Sequence, residues 1–391
     1  MGEEKPRPFE RHYNQLSRCG LEGRAPAGES LAFHKADALL LNPRLRPALV
    51  GLGRTAHAHI PMAHVQVIAE IGSVHDGSIG NAGKLIELAQ ACGADVVKFQ
   101  THLAEAESLP NAPSPPYFKG EPRMQYFKRT GFSPAQWRAL REQADQAGIG
   151  FISSPFSLEA VDLLEAVGVA FYKIPSGEVT NLPLLERVAR TGKPSVLSSG
   201  MSSWAELDTA VAALRLGGPL TVMQCSSVYP CPPERVGLNV LTEMRARYGL
   251  PVGLSDHTGG VAAAVAAVTL GAVMVEKHLT FSRAMYGSDA PHSMEPDDFR
   301  AFVAAIRETS AMLAHPVDKA DTSAFADMKH IFEKSLVTRQ PMSEGAVLDF
   351  LHLAFKKPGD GIPAADYARW LGRRLSRPVP ADHQLVPEDF I

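Results

Sequence analysis

The chain has 391 residues, of which 45% are hydrophobic, and its formal net charge is −3. This length exceeds that of one ordinary domain and suits a large barrel with additional segments. The small net charge does not indicate a nucleic-acid partner, and the longest uncharged apolar stretch, Val261–Val275, is too short to span a membrane.

Short apolar runs alternate with helical patterns from residue 65 onward. The eight predicted strands are Val65–Glu70, Asp95–Thr101, Gly150–Phe156, Phe171–Ser176, Ser195–Gly200, Thr221–Ser227, Val252–His257 and Met274–Thr280. The predicted helices include Asn81–Cys92, Pro134–Ala147, Leu158–Val167, Trp204–Leu216 and Asp297–Leu313. Eight such β-α units predict an α/β fold, a (β/α)8 TIM barrel. A doubly wound open sheet is the structural alternative, but no G-x-G-x-x-G follows the first strand.

The chain divides into four predicted segments: an N-terminal extension of unknown role, the barrel, a polar linker and a small separate domain. These segments are residues 1–64, 65–313, 314–328 and 329–391. Within the barrel, residues 103–132 are predicted as a long loop that carries prolines and aromatic residues. The last segment combines short strands and Gly and Pro turns with one predicted helix, Ala364–Leu371.

The four cysteines, Cys19, Cys92, Cys225 and Cys231, contain no C-x-x-C pair. Their spacing predicts neither a zinc site nor a disulfide framework. The first thirty residues are charged and rich in proline, which is not typical of a signal peptide. We therefore expect a protein of the reducing cytoplasm.

Polar residues occupy the ends of the predicted strands, where TIM barrels build their active sites. Lys98 and Lys173, together with several strand-end serines, suit a phosphate and a carboxylate. His257 and His278, on neighbouring strands, suit a divalent transition metal. Glu70 at the end of the first strand suits proton transfer. Because polar groups inside a barrel are costly to bury without partners, this convergence favours a site over packing.

The charged pair that precedes His278 is interpreted differently. Glu276 and Lys277 are adjacent in the sequence, and we interpret them as a local ion pair outside the site.

Several motifs together resemble the N-acetylneuraminate (sialic acid) synthase family. They are Ala69-Glu70-Ile71-Gly72, Val97-Lys98-Phe99-Gln100-Thr101, Tyr172-Lys173-Ile174, Leu197-Ser198-Ser199-Gly200-Met201, Gly253-Leu254-Ser255-Asp256-His257-Thr258 and Glu276-Lys277-His278. Residues 334–337 and 357–361 resemble the antifreeze-like (SAF) domain of this family. The resemblance implies a TIM barrel followed by a small C-terminal SAF domain of the β-clip type.

The resemblance also implies a reaction and a set of roles. The family condenses phosphoenolpyruvate with an N-acylated amino sugar, N-acetylmannosamine or a diacetamido-trideoxyhexose, giving a nonulosonic (sialic-type) acid and phosphate. His257 and His278 would hold the divalent metal, Mn²⁺ by preference, with Mg²⁺ or Co²⁺ as alternatives. The residues implied to bind phosphoenolpyruvate are Lys98, Ser154, Lys173, Ser176, Ser198 and Ser255. The residues implied to bind the amino sugar are Gln100, Tyr229, Asp289 and Lys357, and Glu70 would orient this sugar and handle its proton.

The family pattern further implies a domain-swapped homodimer, in which the C-terminal domain of one subunit covers the barrel mouth of its partner. In this arrangement the residue at position 357 reaches the acceptor. The family commonly begins near Met62, so residues 1–61 are predicted to be dispensable, either as an upstream start or as an arm.

Three departures from the family pattern bear on the acceptor. Val74 and Asp76 replace asparagines of the first loop, Ser227 replaces an asparagine after the sixth strand, and Lys357 replaces an arginine. A lysine cannot reproduce the planar bidentate donor set of arginine.

Three other functions remain open at this stage. They are another phosphoenolpyruvate-dependent 3-deoxy sugar acid synthase, a non-catalytic sugar-binding relative and a zinc hydrolase barrel. The first would require additional basic residues for a phosphorylated acceptor, and the strand ends show no such cluster. The second would be marked by loss of Glu70 or of the histidines, and the third by further metal ligands on the early strands.

Overall fold

The computed structural model describes residues 64–114 and 121–391. Residues 1–63 of the predicted N-terminal extension, including Met62 and the expectation about residues 1–61, lie outside the described residues.

Eight parallel strands close into a barrel in chain order. They are β1 (Gln66–Gly72), β2 (Val96–Thr101), β3 (Gly150–Pro155), β4 (Tyr172–Ile174), β5 (Ser195–Ser198), β6 (Leu220–Cys225), β7 (Val252–Asp256) and β8 (Met274–His278). Because β1 pairs with both β2 and β8, the sheet has no free edge. The predicted (β/α)8 barrel is confirmed, with slightly shifted strand ends.

Helices connect successive strands and cover the barrel. They are α1 (Ile79–Ala91), α2 (Ala104–Glu107), α3 (Arg123–Thr130), α4 (Pro134–Ala147), α5 (Leu158–Val167), α6 (Leu182–Ala189), α7 (Trp204–Leu214), α8 (Leu238–Tyr248), α9 (Ala262–Thr269) and α10 (Pro296–Ala314). Helix α4 begins where the sequence predicts, because the side chain of Ser133 accepts from the backbone N–H of Gln136 and proline occupies the first turn.

The region after β2 differs from the prediction of a plain loop. Its described residues contain α2 and α3, and α3 buries Tyr126 and Phe127. These helices are short and are flanked by proline and charged residues, so the apolar periodicity of the sequence does not predict them. The result is a structured cover beside the C-terminal end of β2, the end at which barrel active sites lie.

The barrel interior is layered, and this layering places the polar residues. One inward-facing position on most strands is apolar, and these residues form a cluster of their own: Ile68, Val96, Ile152, Val196, Met223 and Met274. Side chains alternate along a strand, so the residue two positions further on faces the same way. Those next positions carry Glu70, Lys98, Ser154, Ser198, Cys225 and Glu276. A polar layer therefore lies directly above an apolar layer, at the C-terminal mouth of the barrel.

The C-terminal segment has a separate hydrophobic cluster that includes Leu336, Leu353 and Leu375. Helix α11 (Ala326–Phe332) crosses the predicted boundary between the linker and this segment. The segment also contains β9 (Ser335–Thr338), β10 (Leu353–Lys356) and α12 (Tyr367–Trp370), and the two strands pair antiparallel. The predicted helix Ala364–Leu371 is a 3-10 turn followed by the single turn of α12. The domain boundaries and the SAF assignment stay predictions.

No helix among the residues that the structure describes is long and apolar enough to cross a membrane.

Candidate active site

Glu276 lies at the centre of a buried charged cluster in the barrel mouth. Its Oε1 atom is 3.3 Å from the Lys98 ammonium and 3.4 Å from the Lys173 ammonium. The hydroxyl of Ser255 lies 3.3 Å from the same oxygen. These residues belong to strands on different sides of the barrel, so the cluster crosses its interior.

This arrangement corrects the interpretation of Glu276 and Lys277 as a local pair. The two side chains alternate on β8, so they point to opposite faces. Lys277 faces the helices and pairs with Asp256 at 2.8 Å, with both side chains almost fully buried. Glu276 is therefore a site residue that sequence reasoning missed. In the sequence Glu276 lies two residues before His278, and on a strand this spacing places both side chains on the same face. That spacing is the signal that could have identified it.

The charges of the cluster stabilise one another against burial. Burial opposes the charge of Glu276, but the ammonium groups of Lys173 and Lys98 outweigh it and lower the pKa of this carboxyl. Burial similarly opposes the charge of Lys98, yet Glu276 and Glu70 raise its pKa. For Lys173, burial prevails over Glu276 and lowers the pKa. Burial also raises the pKa of Glu70, against the attraction of Lys98, which suits a carboxyl that exchanges a proton.

The strand-end serines predicted to bind an anion flank the two lysines. Lys173 donates to the Ser198 hydroxyl at 2.6 Å, and Lys98 lies 3.4 Å from the hydroxyl of Ser154. An ammonium group has three donors. The contacts described for Lys173, to Ser198 and Glu276, leave one donor for a bound anion.

Ser176 and Ser227 approach the same point of the mouth. A Cβ atom at Gly200 would overlap the hydroxyl oxygens of both serines. The absence of a side chain at Gly200 therefore lets the loops after β4, β5 and β6 meet. Ser227, one of the departures from the family pattern, thus lies beside a residue predicted to bind phosphoenolpyruvate.

The two predicted metal ligands, His257 and His278, lie next to each other, with ring centroids 5.5 Å apart. The Nδ1 atom of His257 lies 2.8 Å from the Ser226 carbonyl oxygen, which accepts its proton, so Nε2 is the nitrogen that would bind a metal. His278 is buried, and its Nδ1 atom has no hydrogen-bond partner among the described residues. Burial lowers the pKa of His278 to about 4, so the imidazole is neutral at physiological pH, as a metal ligand must be.

These two imidazoles fit a divalent ion that keeps open positions for other ligands. Within the part of the chain that the structure describes, no group of three or more His, Cys, Asp or Glu residues forms a complete metal site. The ring of Tyr229 covers His257 at a centroid distance of 4.1 Å, so Tyr229 lies at the predicted metal position.

Glu70 connects this cluster to the predicted sugar-binding residues. Its carboxylate lies 3.0 Å from the Lys98 ammonium, and its Oε1 atom accepts from the amide nitrogen of Gln100 at 2.7 Å. Gln100 in turn contacts the ring of His102. The structure thus brings Glu70, Gln100 and Lys98 together, as the sequence predicts.

Asp289 reaches the mouth from the loop after β8. Its Oδ2 atom accepts from the backbone N–H of Ser73 at 3.0 Å. Gly72 has a φ of +53°, and a Cβ atom there would overlap this carboxylate. Glycine is therefore required where β1 ends and Asp289 packs against it.

The first-loop departures have structural partners. Val74 is fully buried in the hydrophobic core around the barrel. Asp76 forms an ion pair with Arg129 of α3 at 2.8 Å, and Arg129 also pairs with Glu121. Asp76 therefore ties the first loop to the cover formed after β2.

Lys357 is not brought to the mouth by the contacts that the structure describes. It is exposed, and its ammonium lies 4.6 Å from the centroid of the Phe332 ring. Both residues belong to the C-terminal segment, so the predicted role of Lys357 at the acceptor depends on a second subunit.

A closed parallel barrel with buried lysines, serines and paired histidines at one mouth defines a class: barrel enzymes that hold a small anionic substrate beside a metal. A family model described as the NeuB family matches residues 85–318. An N,N'-diacetyllegionaminic acid synthase of Campylobacter jejuni is 35% identical to the chain, with 84% of this chain and 100% of that protein covered.

Two further relatives agree with this match. An N-acetylneuraminate-9-phosphate synthase of Homo sapiens is 33% identical, with 82% of this chain and 91% of that protein covered. The crystal structure of an N-acetylneuraminic acid (sialic acid) synthetase from Leptospira borgpetersenii, in complex with citrate, superimposes with a TM-score of 0.61 at 28% identity. That alignment covers 68% of this chain and 91% of the other. The chain belongs to the NeuB family.

Proposed function

We propose that this protein condenses phosphoenolpyruvate with the open-chain form of an N-acylated amino sugar. A carbon–carbon bond forms between C3 of phosphoenolpyruvate and the aldehyde carbon. Water adds at C2, and the tetrahedral intermediate then loses phosphate to give a nonulosonic acid. The observation that carries the proposal is the cluster of Lys98, Lys173 and Glu276, which lies next to His257 and His278 in a family of such synthases.

The lysines and serines would fix phosphoenolpyruvate. Lys98 and Lys173 offer charge-assisted hydrogen bonds for its carboxylate and phosphate, and the serine hydroxyls around them supply neutral donors. Those hydroxyls belong to Ser154, Ser176, Ser198 and Ser255. Because these residues lie on strands of one closed sheet or, for Ser176, just after a strand end, the anion would be held in one orientation before the acceptor arrives.

His257 and His278 would hold a divalent ion, which we propose to be Mn²⁺, with Mg²⁺ or Co²⁺ as alternatives. When bound, such an ion supplies Lewis-acid stabilisation of the charge that develops on the aldehyde oxygen. Gln100, Tyr229 and Asp289 would hold the sugar, and Glu70 would orient it and take up or release its proton, since burial raises the pKa of this carboxyl.

We propose that the acceptor lacks a phosphate. The relative from C. jejuni is named for diacetyllegionaminic acid, and the human relative for a 9-phosphate product. In the described part of the cover after β2, Arg129 is paired with both Asp76 and Glu121. Because these two carboxylates balance the charge of Arg129, this guanidinium offers little to a second phosphate. A diacetamido-trideoxyhexose or N-acetylmannosamine fits better.

We further propose that the C-terminal segment is an SAF-type lid in a domain-swapped homodimer, where Lys357 reaches the acceptor of the partner subunit. The exposure of Lys357 in the chain supports this role. The three described cysteines are free and buried, which agrees with the proposed location in the reducing cytoplasm.

The reaction is tested by incubating the protein with phosphoenolpyruvate, Mn²⁺ and a panel of 2-acetamido sugars, with and without a 6-phosphate. Phosphate release and the mass of the sugar-acid product are measured together. Acceptor-dependent phosphate release with a nonulosonic acid product is expected. Acceptor-independent release, or turnover with phosphorylated sugars alone, would contradict the proposal.

The lid is tested separately. Truncation after residue 328 should leave a folded barrel with little synthase activity, and an active truncated barrel would exclude the lid. Lys357→Arg should change the preference between N-acetylmannosamine and diacetamido-trideoxy sugars. An unchanged ratio would indicate that Lys357 does not determine acceptor choice and that the first loop, with Asp76, is the better candidate.

A further inference from the structure

His102 follows β2, and each of its two ring nitrogens has a side-chain partner. Its Nδ1 atom lies 3.0 and 2.9 Å from the two carboxylate oxygens of Glu107 on α2. Its Nε2 atom lies 3.0 Å from the amide oxygen of Gln100. The side chains of His102 and Glu107 are 8% and 3% exposed, so water does not compete strongly for these bonds.

The hydrogen-bond partners determine where the protons are. An ionised carboxylate only accepts, so the bonds to Glu107 require a proton on Nδ1. The amide nitrogen of Gln100 donates to Glu70, which turns the amide oxygen towards His102. An amide oxygen also only accepts, so Nε2 requires a proton as well. This set of partners therefore favours a ring with both nitrogens protonated, which is an imidazolium cation.

The surroundings of the ring suit a cation. Phe127 and Phe156 stack on its two faces, with centroid distances of 3.7 and 4.1 Å. Aromatic faces attract cations, and they exclude water from the pair. The other charged or titratable groups that face the pair are Arg123, with its guanidinium 3.9 Å from Glu107, Glu178 on the turn after β4 and His75 in the loop after β1.

We propose that His102 is a positioning residue, an imidazolium held by Glu107 that keeps the Gln100 amide turned towards Glu70. This role rests on the proposed function, because Gln100 and Glu70 serve the amino sugar. If His102 loses its Nε2 proton, that nitrogen becomes an acceptor and faces the amide oxygen of Gln100. The amide must then turn over and present its oxygen to the Glu70 carboxylate. His102 thereby sets the orientation of the sugar-binding residues without touching the sugar.

The charge state of the ring is tested on the full-length protein without substrates. Nitrogen NMR of ¹⁵N-histidine-labelled protein at neutral pH should show two protonated ring nitrogens for His102. The signal is identified by its loss in His102→Gln. A ring with a single protonated nitrogen would overturn the proposal, whether the second proton resides on Glu107 or the amide of Gln100 is reversed.

Kinetics test the positioning role. His102→Phe keeps the aromatic stack and removes both donors, so the KM for the amino sugar should rise about tenfold while the KM for phosphoenolpyruvate stays near the wild-type value. His102→Gln retains an amide donor towards Gln100 and should show a smaller rise. His64→Phe is the matched control, because it removes a histidine–aspartate pair before β1, at the opposite end of the barrel.

A further variant separates charge from position. In Glu107→Gln, a neutral His102 can accept from the new amide through Nδ1 and still donate to Gln100 through Nε2. Glu107→Gln should therefore raise the KM for the amino sugar less than His102→Phe does. A KM in Glu107→Gln as high as that in His102→Phe, or an unchanged KM in His102→Phe, would overturn the proposal. An absence of synthase activity in the wild type would instead refute the proposed function, and the NMR result would still decide the charge of His102.

Discussion

Strand β8 carries buried charges on both of its faces, and the two faces satisfy them differently. On the outer face, Lys277 bonds to the Asp256 carboxylate and to the carbonyl oxygens of Thr258 and Gly260. The second oxygen of Asp256 accepts from the backbone N–H of Thr258 at 2.8 Å. On the inner face, the Oε2 atom of Glu276 and the Nδ1 atom of His278 have no hydrogen-bond partner among the described residues.

This difference distinguishes buried groups that stabilise the fold from buried groups that could bind a ligand. An unpartnered buried polar atom costs free energy, so one that a folded protein retains indicates a position that a ligand, an ion or a water can complete. The outer pair of Lys277 and Asp256 completes its own hydrogen bonds and anchors the loop on either side of His257. The inner groups have open hydrogen-bonding positions, where the proposed substrate and metal would bind. The same strand therefore carries a structural ion pair and part of the proposed binding site, one residue apart.

The largest expected effect concerns the incomplete inner face. His257→Ala and His278→Ala should each reduce turnover by more than about a thousandfold, because the ion that stabilises the developing charge is lost. Chelation should abolish turnover of the wild type, and Mn²⁺ should restore it. His315→Ala, at an exposed position after α10, is the control. Full activity of the metal-free protein would show that the two histidines are structural.

Substitution of Lys277 in the outer pair should lower the stability of the fold. Lys277→Met leaves Asp256 buried without its cation, so the free energy of unfolding should fall by about 3–5 kcal/mol in urea denaturation. In the double variant Lys277→Met/Asp256→Leu most of this loss should be recovered, because no charge remains buried. If the double variant is as unstable as the single one, the outer pair is not a self-contained structural unit.

His75 lies at the barrel mouth, like the inner groups of β8, but it has a hydrogen-bond partner, like the outer pair. It therefore tests whether location or hydrogen bonding determines if a buried group contributes to stability. Its Nδ1 atom accepts from the backbone N–H of Gly77, and burial lowers its pKa to about 4. The unfolded chain binds a proton below about pH 6.5 and the folded chain does not, so stability falls as the pH drops from 6.5 to 4. The expected loss at this residue is about 3 kcal/mol.

The measurement compares the free energy of unfolding at pH 7 and pH 4 in the wild type and His75→Gln. The acid-induced loss should be smaller in the variant. Identical losses would mean that His75 is not buried in its neutral form.

The smallest effects are expected for the lysines of the anion site. Lys98→Ala and Lys173→Ala each remove a charge-assisted contact, so the KM for phosphoenolpyruvate should rise by a factor that corresponds to about 1.5–3 kcal/mol. Lys84→Ala on the exposed face of α1 is the matched control. Wild-type KM and turnover in both site variants would place the anion elsewhere.

Much of the fold could be predicted from the sequence, because its signals are local. The number of barrel strands follows from eight apolar runs and from the regular spacing of the β-α units. Ser133 predicts the start of α4 in the same local way. Lys98, Lys173, His257 and His278 were predicted correctly as convergent, because strand ends of a closed barrel meet at one mouth. Their roles towards substrates and metal stay predictions.

Other features depend on contacts between residues far apart in the chain. Adjacency in the sequence suggested that Glu276 pairs with Lys277, whereas strand alternation separates them and barrel closure gives Glu276 its partners 103 and 178 residues away. The helices after β2, and with them the contacts of His102 to Glu107 and two phenylalanines, follow from packing against neighbouring loops.

The sequence by itself determined the strand and helix periodicity, the chemical types at the barrel mouth and the resemblance to a synthase family, because these reside in residue order and spacing. Tertiary structure alone decided which buried charges are satisfied. Whether a carboxylate at position 276 or a ring at position 102 has a partner depends on distances across a closed barrel. The fold sets those distances, and they distinguish the ion pair that stabilises the protein from the groups proposed to bind its substrates.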